Sequence, residues 1–98
     1  MTKIDFKKDF SAYNKIKVSL EAIIDTDDLY SGFSYASWTL SPVFADEMPS
    51  KYIEDYQFVK DIANNASQNI KIPNTDLIKA FQKLTKIFIA INHIKYED

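Results

Sequence analysis

The side chains of this protein best suited to chemistry are carboxylates and aromatic rings, and both crowd into DTDDLYSGFSYASWTLSPVF, residues 25–44. The stretch holds three acids, five aromatics and the only glycine of the chain, with no lysine. Calcium binding is the first chemistry to test. Asp25, Thr26 and Asp27 open like a calcium loop, but Tyr30 occupies the position that needs glycine and Ala36 the position that needs a bidentate acid. That pattern fails.

Adjacent acids such as Asp27 with Asp28, or Glu54 with Asp55, have the chemistry for acid and base work, yet pairs of this kind near helix starts serve more often as caps and dipole partners. His93 is the single histidine. Ala90 and Ile89 precede it by three and four residues, so the Glu-x-x-His pattern of di-iron bundles is absent, and the helical spacing puts it on the polar side. One glycine cannot build a phosphate-binding loop, and without cysteine there is neither a thiolate nucleophile nor a thiolate zinc site. The chain therefore reads as a non-enzyme with no cofactor and no metal.

Recognition is the use that remains, and charge says of what. Net charge is only −2, but residues 25–56 hold seven acids (Asp25, Asp27, Asp28, Asp46, Glu47, Glu54 and Asp55) against Lys51 alone. This leaves −6 there and +4 over the other 66 residues. All twelve basic residues are lysine, and arginine is the preferred tool for reading phosphates and base edges, so nucleic acid is a poor candidate partner. No segment approaches the length of a bilayer span, and the N-terminal MTKIDFKKDF has no signal-peptide core, which leads to the expectation of a cytoplasmic protein without a membrane role.

Elements must exist to present these side chains. At 98 residues, with 46% hydrophobic and 27% charged residues, the chain is expected to fold as one domain, 1–98. Residues 5–24 set Phe6, Phe10, Tyr13, Ile16, Leu20, Ile23 and Ile24 at the three- and four-residue steps of an amphipathic helix, with Lys17 at the edge of the stripe. Residues 50–70 repeat the pattern through Tyr52, Tyr56, Val59, Ala63, Ala66 and Ile70, with Ser50 as the expected N-cap. The last helix is expected to start from an Asn74 cap and to bury Leu77, Ala80, Phe81, Leu84, Ile87, Phe88, Ile91 and Ile94, leaving Lys79, Lys83 and Lys86 in water.

Residues 28–40 have a composition that also suits a strand, but Leu29, Phe33, Ala36 and Leu40 fit a helical face, capped by Asp27 or Asp28 and closed by Ser41-Pro42 before a short helical turn through Met48. The fold class is thus all-α, a small antiparallel four-helix bundle in up-and-down order.

In that bundle Tyr30, Tyr35 and Trp38 point away from the core, and Ile53 and Phe58 lie off the stripe of their own helix and extend the same surface. Tyr and Trp contribute large rigid contact area at interfaces, and acids steer a basic partner. The expected binding residues are Asp25, Asp27, Asp28, Tyr30, Tyr35, Trp38, Asp46, Glu47, Glu54, Asp55 and Phe58. The expected function is neutralisation of a basic protein, of inhibitor or immunity type, for example against a nuclease toxin. The alternative is a self-associating structural or regulatory bundle, a homodimer, that joins through the same rings.

Overall fold

The computed structural model describes residues 6–43, 48 and 50–96, with side-chain surroundings for residues 14–43, 48 and 50–91. The helical patterns read from the sequence become α1 (Phe6–Asp25), α2 (Leu29–Leu40), α3 (Ile53–Ser67) and α4 (Asn74–Tyr96), with a 3₁₀ turn at Ser50–Tyr52 leading into α3. Among the described residues there is no strand, so the strand alternative for residues 28–40 is excluded. Each helix packs on the next, α4 closes the ring on α1, and α2 and α4 lie diagonally and touch only weakly. This is the four-helix bundle that the periodicity predicts.

Local chemistry sets the ends. Asp28 has extended backbone and its Oδ1 accepts the Ser31 N–H at 2.8 Å, so α2 has a carboxylate N-cap. At the end of α3, Asn69 takes a left-handed φ of 63°, which Asn tolerates better than most residues. The Ile70 N–H then donates to the Asn65 carbonyl and the Asn69 N–H to the Ala66 carbonyl, closing a Schellman turn.

Two expected caps are displaced. Ser50 starts the 3₁₀ turn instead of capping α3, whose cap position falls to Tyr52 without a side-chain bond. Asn74 is the first residue of α4, and the carbonyl of Pro73 before it accepts from Asp76 and Leu77. Ile70 lies past the Schellman turn and is exposed, so it is not a core residue of α3. Ile24 is also 65% exposed: Ile23 takes the core position, and the next residue, turned 100° around the helix, faces water. The side chains of Phe6, Phe10, Tyr13, His93 and Ile94, and the turn expected to run up to Met48, lie outside the described residues; Met48 itself is buried.

One core joins all four helices through Ile16, Leu20 and Ile23, Phe33, Ala36 and Leu40, Tyr56, Val59 and Ala63, and Leu77, Leu84 and Ile87. Two features fix how α2 lies in it. A Cβ built on Gly32 would stand 2.8 Å from the Ile23 Cα and 3.3 Å from its Cβ, so glycine is what lets α2 approach α1 this closely. On its other side, the fully buried Tyr56 donates its hydroxyl to the Leu40 carbonyl at 2.9 Å, satisfying one of the last acceptors of α2 from within α3.

Two substitutions test this description. Gly32→Ala should lower unfolding stability by about 1–2 kcal/mol in urea titrations, because the clash is with backbone and outweighs the helix propensity gained; equal or greater stability would show that the close contact is not there. Tyr56→Phe should cost about 1 kcal/mol by the same measurement, the usual loss when a buried hydrogen bond is removed.

Candidate protein-binding surface

The outward side of α2 follows from its inward one. With Phe33, Ala36 and Leu40 buried, Tyr35 and Trp38 come out on the solvent side, 68% and 83% exposed. Three residues apart, they are neighbours on the helix surface, separated by about 4.5 Å of axial rise. Trp38 is the only tryptophan of the chain and the most exposed of its described large hydrophobic residues. Asp25 ends α1 and Asp27 and Asp28 lie in the turn into α2, all exposed, with Asp28 roughly 15 Å along the α2 axis from Trp38. These five residues are the part of the expected site that lies on α2, on the turn before it and on the last residue of α1.

The acids there are not equivalent. Asp28 uses both carboxylate oxygens internally, Oδ1 for the Ser31 N–H and Oδ2 for the Ser31 hydroxyl at 3.2 Å. Asp28 therefore holds the start of α2, while Asp25 and Asp27 present their charge to solvent.

Tyr30 departs from its expected place. It is half-buried against the core, and its hydroxyl donates to the Ile70 carbonyl at 2.7 Å. Its ring lies on the α3 side of α2, and a phenol fits there because the Schellman turn leaves that carbonyl open to a donor. Tyr30 ties α2 to the end of α3 and is not an open contact residue.

The α3 residues separate likewise. Glu54 is exposed, but Asp55 is held by α4: its Oδ1 meets the Lys83 ammonium at 2.6 Å, and its Oδ2 lies 3.7 Å from that of Lys86. The hydrogen bond from Lys83, opposed by partial burial and reinforced by the positive charges of Lys83 and Lys86, holds the Asp55 carboxyl below its ordinary range. Phe58 is half-buried on the core with the Lys83 ammonium 5.6 Å from its ring centre, and Ile53 is packed on the core as well. Asp55 and Phe58 thus join α3 to α4 and leave the expected binding set. Asp46 and Glu47 lie outside the described residues.

A shallow depression of about 160 Å³ lies between α2 and α3, walled by Ser37, Ser41, Gln57, Lys60, Asp61 and Asn64. Drug-sized ligands fill about 300–1,000 Å³, so it is too small to serve as such a pocket. Its lining comes from two helices, so no local pattern announces it. Among the described residues no three His, Cys, Asp or Glu side chains gather where they could hold one metal ion, and no helix is long and apolar enough to cross a membrane. Comparison with protein-family models, curated proteins and solved structures yields no match, so the use of the surface is read from its own residues.

The Asp55 pairing has a pH signature. Its carboxyl titrates lower in the folded chain than the 3.8 of the free side chain, so its contribution to stability is complete well above that value and is lost as pH falls through the folded pKa. Chemical denaturation at pH 7 and at pH 3 should show a smaller acid-induced loss of stability in Asp55→Asn than in the wild type. An identical loss in both would show that the pair contributes nothing.

Proposed function

We propose that this chain is a small helical binding protein that neutralises a basic protein partner, in the manner of an inhibitor or immunity protein acting in the cytoplasm. A nuclease toxin, or another protein that handles nucleic acid, has the basic surface this requires. The observation that carries the reading is the exposure of Trp38, with Tyr35 beside it, on a helix entered through the open acids Asp25 and Asp27.

A tryptophan left in water forgoes the burial its ring would gain elsewhere, and Trp and Tyr are the residues most enriched among binding hot spots. The acids supply a different component. Exposed carboxylates add little affinity in water, but they speed the approach of a basic surface and set its orientation. Glu54 on α3 adds to the same net sign, and the binding set becomes Asp25, Asp27, Tyr35, Trp38 and Glu54, with Asp28 holding the helix that presents them.

The test is a pull-down from the native host with the wild-type chain, followed by quantitative binding to the protein retained. That protein should be basic. Trp38→Ala should weaken binding about thirtyfold or more, the effect of losing a hot spot, and Asp27→Lys should slow association and reduce its dependence on salt, while helical circular dichroism stays unchanged in both. A retained protein of acidic surface, or binding indifferent to both substitutions, would refute the reading.

A further inference from the structure

We draw no further inference here: the strongest candidate, the surface patch on α4 that exposes Ile78 and Ile89, is interrupted by the exposed Gln82 and Lys86, and nothing in the structure shows what covers it.

Discussion

Gly32 stands where α2 passes α1, and the absence of a single methyl group there sets the position of everything α2 presents. With a Cβ 2.8 Å from the Ile23 Cα, the two backbones would have to separate, and a packed interior transmits such a shift to its neighbours. The close approach seats Phe33, Ala36 and Leu40 in the core beside Ile23. Once those three positions are fixed, the helical rotation of 100° per residue leaves Tyr35 and Trp38 no place but the outside. The exposed rings are thus a consequence of packing on the opposite side of the same helix.

Hydroxyls then lock what the glycine permits. Tyr56 reaches from α3 to the Leu40 carbonyl at the C-terminal end of α2, and Tyr30 reaches from the N-terminal end of α2 to the Ile70 carbonyl after α3. The two bonds secure α2 to α3 near both ends, and each satisfies a carbonyl near a helix end, so helix ends become points of tertiary attachment. Ser19 and Thr26 show a local version of the same economy: the buried Ser19 hydroxyl returns to the Lys15 carbonyl, and Thr26 returns to that of Ala22. On the far side, Asp55 between Lys83 and Lys86 fastens α3 to α4 by charge. The aromatic surface of α2 is therefore carried on a helix held along one flank by contact and along the other by hydrogen bonds, which suits a surface that binds without rearranging.

Much of this was legible in the linear pattern. The spacing of Ile16, Leu20 and Ile23, of Tyr56, Val59 and Ala63, and of Leu77, Leu84 and Ile87 marks the helices and their buried sides, because the 3.6-residue period is a property of the backbone and needs no neighbour to express it. Tyr35 and Trp38 were placed outside by the same period. Tyr30 and Phe58 were misplaced because angle on a helix says how far a residue is from the centre of the buried stripe, not whether a neighbouring helix covers its flank. Asp55 was misread for a related reason, since Lys83 stands 28 positions away and no local rule joins them. The displaced caps at Ser50 and Asn74 have a different origin: cap propensities favour a residue type over a few positions, and the geometry of entry selects among them.

The sequence by itself determined the number of helices, most of the buried positions on them and the uneven charge, all of which follow from residue type and period along one chain. Tertiary structure decided which side chains of the acidic, aromatic stretch are free. It withdrew Tyr30, Phe58 and Asp55 into contacts between helices, assigned Asp28 to a cap, and left Tyr35 and Trp38 in water. It also set α2 and α4 on opposite sides of the bundle. The physical reason is common to both: exposure and opposition depend on what another segment covers, and that is settled by how helices pack, a relation between distant residues that no stretch of sequence contains.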